Sequence, residues 1–201
     1  MDKDRFERVE VASREELRAW LQANHAKPDS IWLVTWRKAD PVRHLPYDAI
    51  VEEALCFGWV DSLPRKLDAQ RTMLLLSPRK PGSAWSGVNK ARVARLEQDG
   101  LLHPAGRAKI EAARRDSSWS FLDDVERLEV PPDMAEAFAS DPVARNHFDA
   151  FPPSTRRGIL EWIKQARQPA TRARRIAETV RLAHDDIRAN QFQRKPPATE
   201  G

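Results

Sequence analysis

The sequence predicts an α+β fold, with a small mixed sheet and packed helices in an N-terminal domain and a small all-helical C-terminal domain. Runs typical of β-strands occur only before Pro78, whereas helical spacing of apolar residues continues far beyond it. Between these regions, Val130-Pro131-Pro132 reads as a linker. We therefore predict domains at residues 1–130 and 131–190, followed by a disordered tail at residues 191–201.

The N-terminal elements begin with a helix opened by a capping box, in which Ser13 is the N-cap and Glu16 follows three residues later. Residues 31–37 are rich in β-branched and aromatic side chains, which is typical of a strand. A second helix is expected to start near Pro46 and to end at Gly58.

A short strand at residues 59–62, turned at Pro64, and a longer strand at residues 71–77 are expected next. Ser86 is then the expected N-cap of a third helix that ends at Gly100. The remaining sequence shows only helical patterns, which we place at residues 104–115, 133–140, 142–150, 152–163 and 172–189.

Composition limits the class of protein. No run of about 18 apolar residues is present, so no membrane insertion is expected. The charged N-terminus lacks the apolar core of a secretion signal, and the single cysteine, Cys56, excludes an internal disulfide. These features predict a cytoplasmic protein.

The loop before the third helix is the strongest candidate site. It carries Arg79 and Lys80 just after a strand, at a point where backbone N–H groups and a helix N-terminus converge. Trp85 offers an aromatic plane beside these cations. The segment therefore predicts binding of an anion, although a solvated loop anchored to the core by Trp85 explains the same pattern.

A second group of candidate residues follows the glycine at position 58. Asp61 is expected at a strand edge near the basic loop, where a carboxylate could bind a ligand hydroxyl or orient Arg79. Tyr47 at a helix start could line the same cavity, or could simply cover the core. Together the two groups predict a two-sided pocket with the ligand-binding residues Tyr47, Trp59, Asp61, Ser62, Arg79, Lys80, Trp85, Ser86 and Asn89.

Catalysis has little support in the sequence. The five histidines show no metal-ligand spacing, and no nucleophile elbow, Walker loop or dinucleotide fingerprint is present. We therefore predict no catalytic residue, no metal and no cofactor.

The expected partner is an anionic small molecule. One alternative is nucleic acid, since residues 62–115 carry 12 Lys and Arg against 4 Asp and Glu. The other is an enzyme with Asp61 as general base.

Several motifs in combination resemble a bacterial protein family. They are Gly58-Trp59-Val60-Asp61-Ser62, Pro78-Arg79-Lys80, Trp85-Ser86 with Asn89, and Thr171-Arg172-Ala173-Arg174-Arg175-Ile176. This combination resembles the YdeI/OmpD-associated family over nearly the whole chain. The resemblance implies an α+β domain followed by a helical one, a role in stress protection against bacteriocins or cationic peptides, and association with a porin. It supplies no catalytic residues.

Overall fold

Strands and helices alternate in the first half of the chain, and only helices follow. The computed structural model describes residues 5–190. The elements are β1 (Arg8–Glu10), α1 (Arg14–Asn24), β2 (Ile31–Trp36), α2 (Tyr47–Cys56), β3 (Trp59–Lys66), β4 (Arg71–Pro78), α3 (Gly87–Gln98), α4 (Pro104–Arg115), α5 (Asp123–Glu126), α6 (Pro132–Ala139), α7 (Pro142–Ala150), α8 (Pro153–Lys164) and α9 (Pro169–His184).

The chain divides into two compact units after Phe121. The predicted fold class is confirmed, since the first unit has a four-stranded mixed sheet with helices and α5–α9 are all helical. The domain boundary at residue 130, chosen for the proline pair, stays a prediction for how the chain divides into independently folding parts. The expected tail at residues 191–201 lies outside the described residues.

The sheet has the strand order β1-β2-β4-β3, with β1 parallel to β2 and the other pairs antiparallel. Successive side chains of a strand point to opposite faces, so β2 and β4 each contribute to two apolar clusters. One face carries Leu33 and Leu76 into the core formed with α1–α4. The other face carries Trp32 and Leu75 into a smaller cluster.

Strand β3 corrects the expected turn at Pro64. The strand continues through this proline to Lys66, with a register shift between Asp61 and Pro64. Proline cannot donate to a neighbouring strand, but β3 lies at the edge of the sheet, where an irregular pair tolerates the missing N–H. The edge position is a consequence of tertiary pairing, which local sequence does not reveal.

The caps of α1 and α3 were correctly predicted. Ser13 Oγ accepts a hydrogen bond from Glu16 N at 3.2 Å, and Ser86 Oγ accepts one from Asn89 N at 3.3 Å. The start of α9 was wrong by a few residues, because its first helical residue is Pro169 and Gln168 takes the N-cap position. Proline is well suited to the first turn, where no N–H partner is needed.

In the second unit, α5–α9 surround an apolar core that contains Met134, Phe138 and Phe148. Ion pairs join helices that are distant in sequence. Lys164 Nζ lies 2.5 Å from Asp124 Oδ1 and Arg172 Nε lies 2.6 Å from Asp133 Oδ2. These pairs place one basic side chain of α8 and one of α9 in contacts within the unit.

Candidate functional site

The loop that joins β4 to α3 begins with a buried arginine. Arg79 N donates to Gly58 O at 2.9 Å, so the loop starts against the turn that precedes β3. Gly58 has a φ of +77°, and a Cβ there would lie 2.7 Å from Lys109 Cγ, so glycine is needed both for conformation and for space. The positive φ and the closeness of Lys109 explain why position 58, beside the basic loop, is a glycine.

The side chain of Arg79 stacks on Trp85. The guanidinium carbon lies 3.7 Å from the centre of the indole ring, and the two residues are only 4% and 1% exposed. Trp85 in turn packs against Trp119, with ring centres 5.0 Å apart. Trp85 therefore anchors the loop to the core and also provides the surface on which the cation rests.

The guanidinium is incompletely hydrogen-bonded within the described chain. Its Nη1 donates to Ala84 O at 3.0 Å and lies 3.5 Å from Ser83 O, whereas its Nε is buried without a partner. No carboxylate of the described residues forms an ion pair with it. Burial lowers the pKa of Arg79 to about 10, against the opposing effect of the Asp61 charge. Arg79 is thus a buried cation with unused donor capacity.

A cavity of about 70 Å³ adjoins Arg79. Trp85 from the loop, Ala113 from α4 and Ser118 from the turn after α4 are among the residues that line it. Ser118 is 7% exposed, and its Oγ, like Arg79 Nε, is buried without a hydrogen-bond partner. Two of the unpartnered buried polar atoms of the first unit therefore belong to residues that line one small cavity.

Asp116 closes the loop onto the end of α4. Its Oδ1 accepts from Ser118 N at 2.9 Å and its Oδ2 accepts from Gly82 N at 3.1 Å. The first bond forms an Asx turn, which places Ser118 beside the cavity. Asp116 also lines the cavity, together with Lys80 and Lys109. The lining is therefore mixed in charge, with a cationic excess.

Tyr47 and Asp61 form a separate pair. Tyr47 Oη donates to Asp61 Oδ2 at 2.6 Å, which joins the start of α2 to the edge strand. Partial burial, and then the bond to Asp61, raise the pKa of Tyr47 to about 12. The Asp61 charge also acts on Arg79, so the structure brings these two predicted residues into electrostatic contact without an ion pair.

The remaining predicted residues make other contacts within the first unit. Trp59 is fully buried, where its Nε1 donates to His25 O at 3.2 Å and its ring packs edge-on against Trp20. Ser62 Oγ lies 3.4 Å from Leu75 O. Ser86 caps α3, as described above. Asn89 Oδ1 accepts from Arg92 Nη1 at 3.1 Å. Lys80 is exposed beside the cavity.

Sequence reasoning missed the contribution of α4 and the turn that follows it. Asp116 and Ser118 are far from the basic loop in sequence, and they reach it because α4, which packs against α2, ends beside the loop. One signal was available, because an Asp followed two residues later by Ser is typical of a turn that binds its own backbone. No pattern indicated that the serine hydroxyl would be left unpartnered.

Within residues 5–190, no group of three or more metal-binding side chains is present, and no helix is long and apolar enough to cross a membrane. By its fold, the chain belongs to the class of proteins that have an α+β unit followed by a helical unit. The candidate binding site at Arg79 lies in the α+β unit.

Comparison with family models gives the particular family. The chain belongs to the family of the domain of unknown function DUF8412, whose model matches residues 9–109. Residues 127–185 match the family described as "Bacteriocin-protection, YdeI or OmpD-Associated", which confirms the resemblance drawn from the sequence. The motifs around Trp59 and Trp85 lie in the first match. Comparison with curated proteins and with solved structures gives no match.

Proposed function

We propose that this chain is a non-catalytic binding protein whose site holds a small phosphorylated or carboxylated anion at Arg79. The observation that carries the proposal is the state of the guanidinium, which is buried on Trp85 with Nε unpartnered and no ion pair among the described residues. A buried charge is costly unless it is paired. A bound anion supplies the missing partner.

The geometry of the guanidinium supports an oxyanion in particular. Both hydrogen bonds to the loop carbonyls leave from Nη1. The edge formed by Nε and Nη2 therefore remains, and two parallel donors are the arrangement that binds an oxyanion through two oxygens. In this proposal Asp61, held by Tyr47, helps to keep Arg79 charged.

The proposed cellular role is cytoplasmic stress protection through this ligand. The description of the family matched by residues 127–185 names bacteriocin protection, which supports a protective role. A binding protein can act in this way by reporting or sequestering a metabolite, and needs no reaction of its own.

Two other functions remain as alternatives with less support. For nucleic acid, much of the basic block is neutralised by ion pairs: Arg92 with Asp48, Arg95 with Glu52, and Arg71 with both Glu10 and Asp68. For an enzyme that uses Asp61 as general base, the carboxylate is already bound by the Tyr47 hydroxyl, which would have to be displaced first.

The test is thermal unfolding with added anions at constant ionic strength. Phosphate or acetate at about 100 times its dissociation constant should stabilise the protein by about 2.7 kcal/mol, a rise of roughly 5 to 10 °C in melting temperature. Arg79→Met should abolish this rise. Arg115→Met, which removes an exposed cation from the end of α4, should leave it unchanged.

An equal rise in the Arg79→Met protein would overturn the proposal. So would the absence of any rise with either class of anion in the wild-type protein. Binding of an oligonucleotide that weakens steeply with salt and survives Arg79→Met would instead favour the nucleic-acid alternative.

A further inference from the structure

We infer that the exposed face of α9 binds the phosphate backbone of duplex DNA. This inference concerns the second unit and goes beyond the anion site proposed at Arg79, since neither site needs the other. It comes from the charge, the exposure and the missing partners of the arginines in and beside this helix.

The positive charge of the second unit is concentrated around α9. Residues 165–184 carry five arginines against a single acidic residue, Glu178. Residues 122–164 carry five Lys and Arg against nine Asp and Glu, so they are acidic on balance. A cationic segment in an otherwise acidic unit attracts an anionic partner to that segment.

Two of the five arginines hold α9 within the unit. Arg172 forms the ion pair with Asp133 described above. The guanidinium carbon of Arg175 lies 4.9 Å from the centre of the Trp162 ring. Both side chains are half-buried, so their role in packing accounts for them.

The other three arginines, Arg167, Arg174 and Arg181, are exposed. Within residues 5–190, their side chains form no ion pair and no hydrogen bond. Arg174 precedes Glu178 by four residues, a spacing that permits an ion pair on a helix, yet the described chain shows none there. An unpaired guanidinium can bind a phosphate through two parallel N–H groups.

The exposed cations lie along one side of the helix. Ala170, Arg174, Ala177 and Arg181 are all exposed, and they follow one another at intervals of four, three and four residues. This spacing places them in one line along α9. The two arginines are two turns apart, about 10 Å, and the alanines beside them leave room for a close approach to a partner's surface.

The composition of this face decides between classes of anionic partner. The exposed residues of α9 are one proline, three alanines, two arginines and one histidine, with no aromatic or large aliphatic side chain. A protein interface needs apolar anchors, a helix that binds a membrane surface needs apolar side chains to insert, and single-stranded nucleic acid needs aromatic rings for stacking. The backbone of a duplex needs only cations.

The connection between α8 and α9 agrees with this partner. Four residues separate Lys164, the last residue of α8, from Pro169, the first of α9. This is the length of the turn in helix-turn-helix motifs, whose second helix enters the major groove of DNA. The exposed Arg167 lies in this connection. The groove of B-form DNA admits a helix, whereas that of double-stranded RNA is too narrow, so DNA is the favoured duplex.

The experiment is fluorescence anisotropy of the full chain with a labelled DNA duplex of about 20 base pairs, which spans two helical turns. Affinity is measured from about 50 to about 200 mM salt. Three phosphate contacts predict that the logarithm of the association constant falls with the logarithm of the salt concentration with a slope of about −3.

The specific variant combines Arg174→Gln with Arg181→Gln. It should weaken duplex binding by roughly 50-fold at about 0.1 M salt and bring the slope to about −1, because each lost phosphate contact removes about one unit. The melting temperature should not change, since neither side chain has a partner to lose. Arg127→Gln with Arg145→Gln removes the same charge from two exposed positions of the same unit and should leave binding close to wild type.

Three results would overturn the inference. The first is the absence of duplex binding at about 50 mM salt. The second is an equal loss of affinity in the two double variants, which would show a general effect of charge. The third is binding of polyglutamate, or of a single strand of equal charge, as tightly as the duplex, which would indicate another class of partner.

The site at Arg79 and the basic block at residues 62–115 are tested separately. Arg79→Met should leave duplex binding unchanged, and the α9 variant should keep any rise in melting temperature produced by small anions. Failure of one proposal therefore leaves the other standing. Duplex binding that survives the α9 variant and is lost on Lys109→Gln with Arg115→Gln would assign it to the basic block, and would overturn the inference.

Discussion

Replacing Arg79 by methionine tests whether the arginine is present for stability or for a ligand. Methionine keeps an unbranched chain over the Trp85 ring while it removes the charge. If the buried cation serves only the fold, its loss should be severely destabilising. If the cation awaits an anion, its removal should cost the unliganded protein little.

The magnitude follows from the environment of the guanidinium. Burial lowers the pKa of Arg79 to about 10, and at about 1.4 kcal/mol for each pKa unit this shift corresponds to roughly 3 kcal/mol of unfavourable desolvation. Against it stand the bond from Nη1 to Ala84 O, roughly 1.5–3 kcal/mol, and stacking on Trp85, roughly 1–2 kcal/mol.

These contributions nearly cancel, so Arg79→Met should change the unfolding free energy of the unliganded protein by less than about 2 kcal/mol. The assay is urea unfolding followed by tryptophan fluorescence at pH 7 in chloride buffer, with Arg115→Met as the surface control. A loss of about 4 kcal/mol or more would refute the reasoning, because it would make Arg79 a structural clamp of the loop.

Two further predictions concern α4. His103 Nδ1 accepts from Ala105 N at 3.2 Å and so must be unprotonated, and burial, then the charges of His25 and Arg18, lower its pKa. The unfolded chain therefore takes up a proton first as pH falls below about 6.5, and stability should decline towards pH 5. His103→Asn keeps a capping acceptor, so the melting temperature of this variant should depend less on pH than that of the wild type. An unchanged dependence would show that His103 does not cause it. Separately, a Cβ on Gly106 would lie 2.2 Å from Cys56 O, so Gly106→Ala should cost more than about 3 kcal/mol in urea unfolding. A Cβ built on Gly158 in α8 would meet no atom within 4 Å outside its own helix backbone. Gly158→Ala should therefore stabilise the protein by roughly 0.5–1 kcal/mol. Similar effects for the two glycines would contradict the close packing of α4.

Local patterns predicted much of the fold. The caps of α1 and α3 were identified because a serine before an apolar helical pattern acts through its immediate neighbours. Strands β2 and β4 were identified from their β-branched and apolar runs. The short elements β1 and α5 were missed, since three or four residues carry too little periodicity to distinguish them from a loop.

Val88 shows how helical spacing alone can mislead. Helical periodicity predicts that it faces inward with Val93 and Leu96, yet it is 59% exposed while those two are buried. The residue lies in the first turn of α3. Spacing identifies an apolar stripe, but the position of the neighbouring element decides how much of the stripe is buried.

The sequence by itself determined the α+β then helical order of the chain, its family resemblance, and the position of Arg79 between a strand and a helix. These depend on neighbours within a few residues or on motif combinations that can be read directly. Only the tertiary structure decided that Arg79 is buried on Trp85, that Trp59 belongs to the core, and that Ser118 and Asp116 meet the basic loop. Arg79 and Trp85 are only six residues apart, but the contacts of Trp59 and Asp116 join segments separated by tens of residues, and Asp116 follows α4, which packs against α2.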